Sequence, residues 1–222
     1  MVSSGVPALD RLLGGDGYPD GSSILIIGAP GIGKEALSYW FIRAGLTQGD
    51  YCLYSTYRRV SDILKDMKGV GIGAERVPEF IAGSGSTVRC DLRDLTSISF
   101  NLKEAVHRND QKRARVATDV LSPLLVLNPV EAMFAYWSQL LSDLKQQENV
   151  ILALAEDGMH PPNTLSTIEQ LFDGVIEMRL YEKDFAFTPL LRIKKMLGLP
   201  PLQGYFEFSI TDMGMEVVPH VK

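Results

Sequence analysis

The sequence predicts an α/β fold, a mostly parallel central sheet flanked by helices, with antiparallel strands at its C-terminal edge. Apolar runs of strand length alternate with stretches of helical period through most of the chain, the pattern of a sheet covered on both faces. A glycine-rich loop joins the first apolar run to the first helical stretch, and after Phe172 strands follow one another with no helix between them.

The elements can be justified in order. The first strand covers residues 23–27 and feeds the loop; the next helix carries Ala36, Leu37, Trp40, Phe41 and Ala44 on one face. A second strand at 51–56 leads to a helix with Val60, Ile63, Leu64 and Met67 at helical spacing, and residues 80–82 form a short third strand. Leu95, Ile98, Leu102 and Ala105 mark another helix. The fourth strand, 115–118, ends at Asp119. Val130, Met133, Phe134, Trp137, Leu140, Leu141 and Leu144 then form the most regular helical stripe, before a fifth strand at 150–154. A loop at 156–163 and a short helix ending near Phe172 precede strands at 175–180, 190–193 and 205–210, whose short connections make them antiparallel neighbours. In the last of these, Phe206, Phe208 and Ile210 alternate with Tyr205, Glu207 and Ser209, as a half-buried strand requires. No linker interrupts the pattern, so a single domain over residues 1–222 is expected.

Composition narrows the function. The chain has 222 residues, 45% hydrophobic and 22% charged, with a formal net charge of −5. These are ordinary values for a globular chain, and the acidic balance argues against duplex DNA as the main partner. Cys52 and Cys90 are too few and too far apart for a disulfide framework or a metal cluster. His160 and His220 lack partners at metal spacing, so no metal site is expected, and His160 belongs to a turn set by Pro161 and Pro162. The N-terminus lacks a charged region followed by an apolar run, and no segment reaches membrane-spanning length without a polar interruption. A cytoplasmic protein with no membrane insertion is expected.

Residues Gly28, Ala29, Pro30, Gly31, Ile32, Gly33, Lys34 and Glu35 read GxxxxGK followed by a carboxylate. The glycines let successive backbone amides turn toward one point, at which the following helix also directs its N-terminus. An anion is the natural occupant, and Lys34 would reach the outer phosphates of a nucleotide. Nucleotide hydrolases of this type need Ser or Thr after the Lys, because that hydroxyl ligates magnesium. Glu35 stands there instead. Asp119, at a strand end, is where a second site carboxylate would stand.

The flanking residues carry a resemblance. Gly5-Val-Pro-Ala-Leu-Asp-Arg-Leu-Leu-Gly-Gly15, Asp119-Val-Leu-Ser-Pro-Leu-Leu125, Phe172-Asp-Gly-Val-Ile176 and Ile210-Thr-Asp-Met-Gly214 resemble the RecA-superfamily branch containing KaiC, archaeal RadA-like paralogues and the archaellum protein FlaH. The resemblance implies a RecA-like ATPase core, ATP or ADP as ligand, and hexamers or filaments with nucleotide at subunit boundaries. Asp119 would be the Walker B carboxylate.

Three positions depart from that pattern. Glu35 replaces the magnesium-binding hydroxyl, placing a negative charge beside phosphates at a cost of about 4 kcal/mol for unit charges ~4 Å apart at an effective dielectric of ~20. Where the family has a Glu-Glu pair after the second strand, this chain has Arg58 and Arg59, and a guanidinium cannot act as a general base. In Lys195-Met-Leu-Gly198, which resembles a Lys-x-Arg-Gly segment serving the neighbouring subunit's phosphates, Lys195 survives and Leu197 replaces the Arg. Magnesium is therefore expected to be weak or absent, and Glu35 is expected to pair with Arg58 or Arg59 where metal and water would stand.

The bland readings are an exposed helix start for the two arginines and a helix N-terminal charge for Glu35. His107, Arg108, Lys112, Arg113 and Arg115 read as a solvated basic face, and Met196, Met213 and Met215 as core filler. Taken together, the three departures predict a degenerate nucleotide-binding subunit, regulatory or architectural. It would work through other proteins, in a homo-oligomer or a hetero-oligomer with RecA-like subunits. An active ATPase is the alternative, which would need another carboxylate to activate water. A paralogue binding single-stranded DNA is disfavoured because the loop at 155–163 carries two acids.

Overall fold

The computed structural model describes residues 1–109, 112–183, 186–200, 202, 204–211 and 214–219; Met213 and His220 lie outside the described residues. In chain order the elements are α1 (Pro7–Leu12), β1 (Ser23–Gly28), α2 (Lys34–Gln48), β2 (Tyr51–Arg59), α3 (Val60–Gly69), β3 (Glu79–Ser84), β4 (Val88–Arg89), α4 (Leu95–His107), β5 (Ala114–Thr118), α5 (Leu121–Leu127), α6 (Val130–Leu144), β6 (Val150–Glu156), α7 (Pro162–Glu169), β7 (Gly174–Lys183), β8 (Ala186–Met196), β9 (Phe206–Thr211) and β10 (Gly214–Pro219).

The strands form one ten-stranded sheet in the order β10-β9-β8-β7-β1-β6-β5-β2-β3-β4. The strands from β7 to β4 in that order run parallel, and β8, β9 and β10 add on antiparallel. This is the expected mixed α/β architecture. The strand at 175–180 differs in one respect: β7 is antiparallel to β8 on one side but parallel to β1 on the other.

All six residues of β1 are buried, because the strand is covered on both faces. Its alternation sorts them. Ile24 and Ile26 join the core beneath α1, α2 and α3, while Leu25 and Ile27 join the core beneath α4, α5, α6 and α7. The stripe read from Val130 to Leu144 packs as expected through Met133, Trp137, Leu140, Leu141 and Leu144.

Four elements escaped the sequence pattern. Helix α1 has six residues and opens on Pro7. Strand β4 has two residues, too few for a period. Helix α5 is seven residues with Pro123 in its first turn, directly behind a strand. Strand β10 pairs with β9 in a hairpin whose connection lies outside the described residues. Ile210 was expected to share the buried side of its strand with Phe208, yet it is exposed, and its Cδ1 lies over Gly33.

The basic run divides, so the reading of one solvated face is corrected. His107, Arg108 and Lys112 are exposed. Arg115 is wholly buried, because it stands on β5, an interior strand, and reaches across the sheet to α2. Its Nε donates to Asp50 Oδ2 at 2.7 Å, and Nη1 donates to the carbonyls of Ser3 and Phe41 at 2.7 and 3.2 Å. Nη2 donates to Gln48 Oε1, and the guanidinium carbon lies 5.1 Å from the centre of the Phe41 ring. Gly45 makes room: a Cβ there would overlap the Arg115 side chain. Arg113 is half-buried and pairs with Asp20 at 3.0 Å.

Candidate functional site

Four consecutive strands of the sheet, β1, β6, β5 and β2, end at one cleft. Gly28 of β1 lies in register with Glu156 of β6. Asp119 follows β5 and donates its N–H to Ser55 O of β2 at 3.2 Å, and Arg58 stands near the end of β2. The cleft has a volume of about 600 Å³, and Pro30, Lys34, Glu35, Tyr57, Arg58, Asp119, Ser122, Glu156, Asp157 and Met159 contribute to its lining.

The loop between β1 and α2 turns as the sequence demands. Gly31 and Gly33 have φ of 78° and 99°, the left-handed region that a side chain resists. Ile32 N–H donates to Ala29 O at 3.2 Å, and Asp157 N–H to Gly28 O at 3.0 Å. The latter bond ties the loop to the end of β6.

Lys34 opens α2 and points into the cleft floor with only 1% of its side chain exposed. Its Nζ lies 2.9 Å from Glu35 Oε1 and 2.8 Å from Glu156 Oε2, and it donates to Ala29 O at 3.4 Å. The expected pairing of Glu35 with Arg58 or Arg59 is therefore corrected: Lys34 neutralises Glu35. Arg58 Nη2 donates to Asp66 Oδ2 at 3.0 Å, and Arg59, 74% exposed, pairs with Asp62 at 3.2 Å. The reason is strand order. β6 and β5 intervene between β1 and β2, so their ends stand about 14 Å apart, while α3 offers both arginines acids close by. Arg58 still lines the cleft; Arg59 stands at the residue before α3, with its side chain making no cap to the helix.

Asp119 accepts a hydrogen bond from the Thr56 hydroxyl at 2.9 Å, and its Oδ1 is buried without a hydrogen-bond partner. Burial pushes its carboxyl up to about 7, against the Thr56 hydroxyl, Arg58 and the Tyr57 N–H, which pull the other way, while Glu35 adds to the rise. Ser122 Oγ accepts the Glu156 N–H at 2.8 Å and lies 3.0 Å from His160 Nε2. His160 is thus joined to the cleft wall as well as to its proline turn, and burial holds its ring below the usual histidine value, with Glu156 opposing.

Lys195 and Leu197 are not brought to this cleft. Lys195 is in register with Val175, near the start of β7, and Leu197 N–H donates to Asp173 O at 3.0 Å. Gly28, at the loop, faces Met178 three residues further along β7, so the two positions sit toward the opposite edge of the sheet, about 10 Å down the strand.

Glu156 is the site residue that sequence reasoning missed. Its signal in the sequence is a carboxylate at the C-terminal end of the fifth strand. The donor set also bears on metal. Among the described residues no group of three or more His, Cys, Asp or Glu is arranged to hold an ion. The loop backbone fits a phosphate; the side chain after Lys34, a carboxylate turned onto the ammonium, does not match the hydroxyl that a magnesium–phosphate site uses.

A glycine loop at the end of a central parallel strand, with an acid beyond the strand two places away, defines a P-loop domain of the RecA superfamily. A family model described as "ATPase: KaiC" matches residues 2–222, and the chain belongs to that family of KaiC-like ATPase domains. A UPF0273 protein of Methanopyrus kandleri is 29% identical over 98% of this chain and 92% of its own length. A UPF0273 protein of Thermotoga maritima is 28% identical over 98% and 96%. The circadian clock protein KaiC2 of Synechocystis is 24% identical over 98% of this chain, which spans 39% of that longer protein. Among the described residues no helix is long and apolar enough to cross a membrane.

Proposed function

We propose that this protein is a degenerate KaiC-like P-loop domain, single over residues 1–222, which has lost ATP hydrolysis and serves as a regulatory or architectural subunit. One observation carries the reading: Lys34, the side chain that should meet the outer phosphates, is held by Glu35 at 2.9 Å and Glu156 at 2.8 Å. ATP or ADP would meet a cleft holding Glu35, Asp119, Glu156 and Asp157 against Lys34 and Arg58, with a carboxylate in place of the hydroxyl that follows the loop lysine and helps hold magnesium. The residues that would surround a nucleotide are Gly28 to Glu35 with Asp119, and no side chain is assigned a catalytic role.

The partners are other proteins, as a homo-oligomer or with other RecA-like subunits, rather than nucleic acid, and the compartment is the cytoplasm. Lys195 and Leu197 lie away from their own loop and would serve a neighbouring subunit, with Leu197 contributing no charge. Oligomeric state, read by light scattering, should therefore not respond to ATP and magnesium.

The competing reading is an active ATPase, and Glu156 is what favours it, since a strand-end carboxylate in the cleft could polarise water once released from Lys34. Turnover separates the two. Purified protein should hydrolyse ATP no faster than a Lys34→Ala control; hydrolysis that the control lacks would overturn the proposal.

A further inference from the structure

The ammonium of Lys34 is crowded by oxygen atoms. It donates a hydrogen bond to Ala29 O, and Glu35 Oε1 and Glu156 Oε2 stand against it as ion pairs at 2.9 and 2.8 Å. The loop around it keeps the shape an oxyanion needs, with Gly31 and Gly33 in left-handed backbone. A Cβ built on Gly31 would meet nothing within 4 Å, whereas one on Gly33 would run into Ile210 Cδ1, so the loop is open at Gly31 and covered at Gly33. At Lys34 itself a phosphate would have to compete with two carboxylates.

The two competing carboxylates differ in how they are held. Glu156 closes β6, with its backbone N–H fixed on Ser122 Oγ at 2.8 Å, so its position comes with the sheet. Glu35 sits on the first turn of α2, with 30% of its side chain exposed, and no hydrogen bond to its carboxylate ties it to another element among the described residues. We propose that Glu35 is a built-in competitor for phosphate: it binds the loop lysine in place of the ligand, and its charge, rather than the absence of a magnesium ligand, keeps diphosphate-bearing ligands out. This rests on the reading of the cleft as a degenerate phosphate site. The ligand class it names is a diphosphate group, free or as the diphosphate of ADP.

The two causes can be separated by substitution, because Glu35→Gln removes only the charge whereas Glu35→Thr removes the charge and restores a hydroxyl. The full chain and both variants would be titrated calorimetrically with ADP and with pyrophosphate, each in EDTA and in magnesium. With the charge as cause, Glu35→Gln gains at least ~tenfold in affinity for both ligands in EDTA, since Lys34 then answers to one carboxylate instead of two. Glu35→Thr shows the same gain in EDTA and a further one only with magnesium, and adding Lys34→Ala to Glu35→Gln removes the gain. A gain with ADP alone would place the recognition in the nucleoside and overturn the diphosphate assignment. The proposal also falls if Glu35→Gln matches the parent protein while Glu35→Thr gains only in magnesium, or if the parent already binds ADP as tightly as Glu35→Gln. Thermal unfolding by circular dichroism checks that each variant is folded, and Glu35→Ala repeats the charge removal if Gln perturbs the helix. The readout is binding, so ATP turnover by the parent would refute the proposed function without deciding this test, and absence of gain in Glu35→Gln would end the inference with turnover still absent.

Discussion

Two buried cations divide the molecule. Arg115 and Lys34 are each almost fully shielded from water, and each lies against carboxylate, yet their surroundings differ in kind. Arg115 meets one acid, two carbonyls, one side-chain amide and an aromatic face, and its acid, Asp50, is itself only 10% exposed. Lys34 meets two acids that are 30% and 26% exposed. The first is a tie between β5, α2 and the segment before α1, and its acid is nearly buried, with Arg113 as a second, longer partner at 3.6 Å. The second is a charge held at the edge of a cleft by groups that water can reach. Burial of the cation alone does not separate structure from function; the exposure of its partners does.

The comparison predicts its own largest effect. Arg115→Met should lower the unfolding free energy by about 3–5 kcal/mol in urea titrations, since the nearly buried Asp50 loses its 2.7 Å partner and the buried Phe41 carbonyl its donor. A loss as small as that of a surface pair would break the contrast. The next effect belongs to the cleft. Burial raises the Asp119 carboxyl from 3.8 to about 7, so between those values the folded chain keeps a proton that the unfolded chain has released. Stability from this residue is present at the acidic end of that window and is lost as the pH rises to about 7. Asp119→Asn should remove this slope, and the variant should gain on the parent by a few kcal/mol between mildly acid and neutral pH in thermal or urea unfolding. Parallel pH profiles would contradict it. The smallest effect is Lys34→Met, expected to change stability by no more than about 1 kcal/mol, because both acid side chains are partly exposed and the substitution also removes the cost of burying the ammonium. A cost as large as that of Arg115→Met would show that the cleft cation is structural after all.

Much of this was legible in the sequence for a physical reason: the loop and its helix are local. Gly28 to Glu35 are contiguous, their backbone needs are set by glycine, and the helix behind them is set by apolar spacing. Asp119 was legible as an acid at the end of a buried strand. What could not be read was adjacency in the sheet. Glu35, on the helix that follows β1, and Arg58, on β2, come from strands consecutive in the chain but separated by β6 and β5 in space, and Glu156 comes beside Gly28 only because β6 inserts next to β1. Arg115 misled for a related reason. It closes a run of basic residues whose other members lie at the end of α4 and in the connection behind it, but it stands on an interior strand, where a long side chain turns inward if a glycine such as Gly45 leaves it room.

The contact between Ile210 and Gly33 also sets an order of events during synthesis. The loop residues leave the ribosome early, and β1 and α2 can begin to form as soon as they emerge. The side chain that lies over the loop belongs to β9, which is made only after every parallel strand of the sheet. At ordinary elongation rates that interval is on the order of ten seconds or more. Throughout it the glycine loop is without the cover it has in the finished protein, and a nascent chain would meet phosphate-bearing molecules with this loop in a less confined state than the mature one.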